Sequence, residues 1–296
     1  MKRGCPTMHE LLAFDAVARH DSLTQAAGAL CISVSAVSKQ LASLEAFVGR
    51  PLLQKLGRGV QLTAHGRLYW QKISGSLRAI ESATFEARSG DTGAGILTLA
   101  SVPTFLTKWL IPRLPDFRRR WPGITLSFSQ HLVAGENIPP GVDAAIRYGS
   151  GEWPGVASDY IAGREFVLIA APSLMGSQRL RKAGEIAAHT VLHHEQAPAA
   201  WRQWAAHHGV AEVHTFSGPR FAQYSALIQA AVSGLGVGLV PRVLVQDEMA
   251  LGALVTPCGD PVQVDQGHYL CFYADRLELP VFAAFRDWIL VDGARS

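Results

Sequence analysis

The chain has 296 residues, 48% of them hydrophobic and 17% charged, with a formal net charge of +3, a composition that excludes a disordered polypeptide. No apolar run is long enough to span a bilayer and Lys2-Arg3 is followed by no apolar signal core, so a cytoplasmic location is expected. Cys5, Cys31, Cys258 and Cys271 lie far apart without metal-ligand spacing, so reduced thiols are expected rather than a disulfide framework.

Charge is unevenly divided. Residues 1–90 hold 11 Lys/Arg and 6 Asp/Glu, a net +5, whereas the remainder holds 16 and 18, a net −2. A basic N-terminal part suits a nucleic-acid partner. Leu11, Phe14, Val17 and Ala18 predict a first helix. Leu23–Leu30 predicts a short second one with Ala26, Ala27 and Leu30 on one face. After the break Cys31-Ile32-Ser33, apolar Val37, Leu41, Leu44 and Val48 recur at +4, +3 and +4, the stripe of a third helix. This is the pattern of a helix-turn-helix, with Cys31 expected to pack at the junction. Ser33, Ser35, Ser38, Lys39 and Gln40 supply short polar or cationic groups that fit a DNA major groove and its phosphates. Two short apolar segments, Pro51-Leu52-Leu53-Gln54-Lys55 and Val60-Gln61-Leu62, flank Gly57-Arg58-Gly59 and predict a small hairpin, a wing. Lys55 and Arg58 there would meet backbone phosphate or a minor groove.

One helix is predicted from Thr63 to about Ala87. Its apolar positions Tyr69, Ile73, Leu77 and Ile80 form a narrow stripe, expected as a seam that pairs two chains, with packing on its own domain as the alternative. Ser89–Gly95 is Gly-rich and predicts a hinge.

The rest alternates strands and helices: strands at residues 96–100, 124–128, 143–148, 166–171 and 269–273, helices after Pro103 and over residues 227–232. That is α/β with parallel strands. Ligands in such sheets bind at strand C-termini. Ser101 and Thr104 follow the first strand and begin a helix, whose free N–H groups favour an anion, or they act only as caps. Arg147 and Tyr148 leave a strand at the expected rim, with an Arg147–Asp143 ion pair as the alternative. Gln223 and Tyr224 precede a helix, and Tyr269 lies in the last strand. His193-His194 and His207-His208 lack a completing ligand set, so no metal and no cofactor are expected. Gly234-x-Gly236-x-Gly238 sits between a helix and a strand, the reverse of a dinucleotide-binding order, and there is no Gly-x-Ser-x-Gly, so an enzyme is not expected. A transporter's solute-binding protein would explain the cleft domain but not residues 1–90.

Several of these stretches together resemble the LysR-type transcriptional regulators. They are Phe14-Asp15-Ala16-Val17-Ala18, Ser22-Leu23-Thr24-Gln25-Ala26-Ala27, Ser33-Val34-Ser35-Ala36-Val37-Ser38, Gly49-Arg50-Pro51-Leu52 and Arg58-Gly59-Val60-Gln61-Leu62-Thr63. Ala145-Ile146-Arg147-Tyr148-Gly149 and Gly234–Pro241 extend the likeness, toward the branch that includes the glycine-cleavage activator and the β-lactamase regulator. The resemblance implies a winged helix-turn-helix over residues 1–62 and a linker helix with its hinge over 63–90. It further implies an effector domain over 91–296, of two subdomains like those of periplasmic binding proteins. Subdomain I would span about 91–163 and 270–296, and subdomain II about 164–269. It implies effector contacts at Ser101, Thr104 and Tyr269, with His194 reaching the cleft. The implied partners are double-stranded DNA with an interrupted palindromic operator, a second copy of the chain in a dimer or tetramer, and RNA polymerase. The chain departs from the family at Val34, where a polar residue is usual, at Leu53 in place of Phe, and at Lys55 in place of Arg. Gln223-Tyr224 stands where the β-lactamase regulator has two serines. The function expected is a sequence-specific DNA-binding transcriptional regulator modulated by a small anionic or zwitterionic metabolite.

Overall fold

The structure, a computed structural model, describes residues 4–56, 59–89, 94–129, 138, 141–175, 183–195, 197–210 and 218–294. Arg58 at the expected wing tip and residues 90–93 of the expected hinge lie outside the described residues.

The N-terminal part folds through short-range signals. Helix α1 (Met8–His20) begins with a capping box in which the Thr7 side chain accepts from the Glu10 N–H and the Glu10 carboxylate accepts from the Thr7 N–H. Helices α2 (Leu23–Leu30) and α3 (Val34–Val48) start at Ser22 and Ser33, each hydroxyl accepting an N–H three residues on. The two helices meet at a 103° bend, within the range of a helix-turn-helix. Cys31 makes that bend in a left-handed conformation, φ 54°, and is exposed, so the expectation that it packs at the junction is corrected: a residue forced to αL on the outside of the turn points away from the core. Phe14, Val17, Ala26, Ala27, Val37, Leu41 and Leu44 fill the core beneath. Strands β1 (Leu53–Leu56) and β2 (Gly59–Leu62) pair antiparallel as the wing. The Glu45 carboxylate accepts the Leu52 and Leu53 N–H groups at 2.7 and 3.0 Å, which ties the wing to α3.

Helix α4 (Ala64–Ser89) runs for 26 residues. Gly66 lets it cross the wing: a Cβ there would lie 2.0 Å from the Leu52 carbonyl oxygen. The Trp70 indole donates to Asp15 at 2.7 Å and Tyr69 packs on Phe14. The stripe expected as a seam lies on this helix. Tyr69 and Ile73 pack against the N-terminal core and Leu77 is buried, so of the four only Ile80 is exposed, together with Leu68 on the same helix. Part of the stripe, Tyr69 and Ile73, thus rests on the chain's own head.

The remaining elements build two five-stranded sheets. In chain order they are β3 (Gly95–Ser101), α5 (Pro103–Phe105), a π-helical turn (Leu106–Leu110), α6 (Ile111–Arg120), β4 (Ile124–Ser129), β5 (Ala144–Gly149) and β6 (Ala157–Ala162). Then come β7 (Glu165–Ile169), α7 (Pro172–Met175), β8 (Val191–His194), α8 (Ala200–His207), β9 (Arg220–Phe221), α9 (Tyr224–Val232) and β10 (Val237–Pro241). Finally α10 (Gln246–Ala250), β11 (Val262–Gln263), β12 (Gly267–Phe272) and α11 (Pro280–Gly293) close the chain. The first sheet has the order β4-β3-β5-β12-β6 and the second β11-β7-β10-β8-β9.

Both sheets are mixed, not wholly parallel as expected. The strand β12 runs antiparallel to β5 and β6, and β7 runs antiparallel to β10 and β11. The reason is connectivity. The chain leaves the first sheet at Gly163-Arg164 and returns through residues 264–266, so the returning strand enters from the side by which the outgoing one left. The two crossing segments touch, the Val264 N–H donating to the Arg164 carbonyl at 2.9 Å. Gly163, φ +95°, has no room for a side chain, since a Cβ would lie 2.6 Å from the His268 ring. The return strand starts at Gly267, so Tyr269 lies inside the first sheet. Among the described residues, no single helix is long and apolar enough to cross a membrane.

Candidate functional site

Two surfaces collect the candidate residues. The first is the N-terminal end of α3. Ser33, Ser35, Ser38 and Lys39 are exposed there and Gln40 is partly so, while Lys55 is exposed on β1. Ser33 is occupied: its hydroxyl caps the Ala36 N–H at 3.2 Å and meets the Ser35 hydroxyl at 2.9 Å. Ser38 and Lys39 remain directed outward one turn on. Two apolar residues to which the sequence assigned no DNA contact stand beside them. Ile32 and Val34 are 42% and 40% exposed.

The second surface lies between the lobes. Val102, Pro103, Thr104, Phe105, Tyr148 and His268 from the first lobe, and His194, Ala222, Gln223 and Tyr224 from the second, line one cavity of about 30 Å³. Its position follows from the two helix starts. The chain turns from β3 into α5 with Pro103 at the first helical position, and α9 begins after Gln223 without a side-chain cap. Thr104 supplies the missing cap from the other lobe, its hydroxyl oxygen accepting the Ser225 N–H at 3.0 Å. Lys108, in the π-helical turn, pairs with Glu248 of α10 and makes a second link between the lobes. π-Helical turns are rare and collect at functional sites.

The cavity wall is aromatic and neutral. The His194 ring stacks on Tyr224 at 3.7 Å, His268 stacks on Phe105 at 4.2 Å, and Tyr148 meets Tyr224 edge to face at 6.1 Å. Burial holds His194 down to about 4 and His268 down to about 3, so both are uncharged at neutral pH. Burial likewise pushes the Tyr148 and Tyr224 hydroxyls above their ordinary range. The two hydroxyls are set against each other and meet no other polar partner among the described residues. Buried polar groups so incompletely paired are uncommon and costly.

Of the eight expected effector residues, Thr104, Tyr148, His194, Gln223 and Tyr224 line this cavity, and Ser101, Arg147 and Tyr269 do not. Ser101 is buried and donates to the Val102 carbonyl. Arg147 and Tyr269 belong to a different cluster, because side chains alternate across a strand. The Arg147 guanidinium lies over Trp153 at 5.0 Å, and Trp153 meets Tyr269 edge to face. The Tyr269 hydroxyl accepts from Arg164 at 2.5 Å and donates to the Ser150 carbonyl at 3.2 Å. His268, one residue earlier, faces the cavity and is the cross-strand partner of Tyr148. It was missed because that register joins residues 120 positions apart.

Nor does Arg147 pair with Asp143. That carboxylate, 2% exposed as a residue, accepts the Thr98 N–H at 2.8 Å and pairs with Arg78 of α4 at 3.0 Å and Arg276 at 3.9 Å. The linker helix is thus docked on the first lobe through one buried carboxylate at the base of β5, whose other end carries Tyr148 into the cavity.

Comparison with known proteins identifies the two parts of the chain. Residues 8–67 match the bacterial regulatory helix-turn-helix protein family of lysR type, and residues 90–292 match the LysR substrate binding domain. The chain is 34% identical to the glycine cleavage system transcriptional activator of Escherichia coli K12, covering 99% of this chain and 96% of that protein. It is 31% identical to the transcriptional activator AmpR of Pseudomonas aeruginosa, covering 96% and 94%. The solved effector domain of that AmpR superposes with a TM-score of 0.60 at 28% identity, over 67% of this chain and 95% of that one. The full-length regulator LysG of Corynebacterium glutamicum, solved with bound Arg, shares the fold over 96% of both chains, with a TM-score of 0.62 at 22% identity. The chain belongs to the LysR-type transcriptional regulators: it is a DNA-binding transcriptional regulator with a C-terminal effector-binding domain and not an enzyme.

Proposed function

We propose that this regulator binds a small anionic or zwitterionic metabolite in the cavity between its two lobes, and that the ligand sets how the lobes sit and so how two DNA-reading heads are spaced. One observation carries this reading. The buried Tyr148 and Tyr224 hydroxyls, which meet only each other, belong to residues that line a space joining two helix starts. A carboxylate would accept from such donors and from free N–H groups at a helix start. A cation would find no carboxylate among the lining residues. The free volume of about 30 Å³ holds about one water, so a metabolite enters only when the lobes part at the Thr104–Ser225 and Lys108–Glu248 links. Differential affinity for the parted and closed arrangements is then what couples ligand to DNA.

On the DNA side, Ser35, Ser38, Lys39 and Gln40 meet the major groove and its phosphates, Lys55 and Arg58 meet flanking phosphates, and Ser33 holds the helix start. The domains are divided as residues 1–62, 63–90 and 91–296. Two chains pair along α4 on the side of Tyr69, Ile73 and Ile80, with Leu77 beneath, on an interrupted palindrome. The protein acts in the cytoplasm and meets RNA polymerase at the promoter.

The test is a thermal-shift screen of the full-length protein against amino acids and small carboxylates, repeated with Thr104→Val and Tyr224→Phe. A ligand that stabilises the wild-type chain should bind each variant at least about tenfold more weakly, the loss of one buried hydrogen bond. A stabilising ligand that both variants bind with wild-type affinity would overturn the site.

A further inference from the structure

We propose that Val34, with Ile32 beside it, recognises the C5-methyl group of a thymine in the operator's major groove. The inference rests on α3 being the helix that enters the groove. Residues at the N-terminal end of such a helix reach the base edges. Val34 is the first residue of α3 and is 40% exposed, and Ile32 in the preceding turn is 42% exposed.

These two side chains are not core residues. The apolar stripe of α3 is complete in Val37, Leu41 and Leu44, all buried. Val34 continues the same spacing by one more turn but is left 40% exposed. The Ser33 hydroxyl beside it is not free to compete for the position. Ser33 and Ser35 are bonded to each other at 2.9 Å, and Ser33 is engaged as the cap. The most forward group is therefore an apolar, β-branched side chain with little rotamer freedom to lose.

The charge around it selects the partner. Lys39 is exposed on the same helix, Lys55 is exposed on the wing, and residues 1–90 carry a net +5, which suits a polyanion rather than an apolar protein surface. In the major groove, adenine, guanine and cytosine present donors and acceptors, and the thymine methyl is the apolar group among the base edges. Valine has no donor or acceptor to offer. Its discriminating contact is that methyl.

The experiment uses the full-length protein and a duplex enriched by it from a random pool. Each thymine of the duplex is replaced singly by deoxyuridine, which pairs identically and lacks the methyl. Removing one buried methyl is worth about fourfold in affinity (about 0.8 kcal/mol), so one position in each half-site should show about a fourfold loss. With Val34→Ala, the same replacement should cost less than about 1.5-fold, because the shorter side chain no longer reaches. Deoxyuridine profiles that are flat, or identical for wild-type and Val34→Ala protein, overturn the inference. Lys39→Ala separates its failure from that of the underlying reading. Weaker binding with a salt slope reduced by about one unit keeps α3 in the groove whatever the deoxyuridine result. Unchanged affinity and slope remove α3 from the groove and this proposal with it.

Discussion

Asp143→Asn should loosen the whole chain, because it removes the charge that two buried guanidinium groups share. The Arg78 side chain is 11% exposed and that of Arg276 is 7% exposed, at 3.0 and 3.9 Å from the carboxylate. Asparagine keeps the volume and an oxygen for the Thr98 N–H, so the change is close to purely electrostatic. Removing one partner of a buried pair costs about 3–5 kcal/mol, since the remaining charge stays desolvated. For a domain of this size each kcal/mol moves the midpoint by roughly 2–4 °C, so calorimetry of the full-length protein should record a fall of about 6–20 °C. Arg78→Met added to Asp143→Asn should recover part of that fall, because one of the stranded charges is gone and the methionine packs in its place. A loss under about 1 kcal/mol would refute the argument. So would strict additivity of the two substitutions, which would mean that the carboxylate and Arg78 act independently and that α4 is held by other contacts.

The two cavity histidines predict an acid sensitivity. Their folded values, about 4 and about 3, lie below the ordinary 6.5, so their contribution is fully present above pH 6.5 and is lost as pH falls toward those values. At pH 5 each should cost about 2 kcal/mol relative to pH 7. A His194→Gln/His268→Gln variant should show a smaller drop in urea midpoint between pH 7 and pH 5, and an equal drop would exclude the histidines as the cause. The head offers a matched pair of glycines. Gly28→Ala, with nothing within 4 Å of the new Cβ, should gain up to about 1 kcal/mol from helix propensity. Gly66→Ala gains the same propensity but drives a Cβ to 2.0 Å from the Leu52 backbone oxygen, and should lose about 1–3 kcal/mol net by chemical denaturation.

The DNA-reading head is legible from local sequence alone. Its signals act over a few residues: Ser22 and Ser33 cap N–H groups three positions on, Val37, Leu41 and Leu44 repeat with the helical period, and the wing strands adjoin in the chain. Such features need no knowledge of what lies opposite. The seam shows the limit of that logic. A stripe at Tyr69 and Ile73 says that one face of α4 is buried, but not against what, and only the fold decided that the chain's own head packs against these two residues. The cavity needed more still. His268 faces Tyr148 through a register spanning 120 residues, Thr104 caps a helix 121 residues away, and Asp143 is claimed by Arg78 and Arg276 rather than by the nearby Arg147. A one-residue shift in strand register moves a side chain to the opposite face. Tyr269 and His268 therefore fall in different clusters although they are neighbours in sequence, and that choice was made by how the returning strand entered the first sheet.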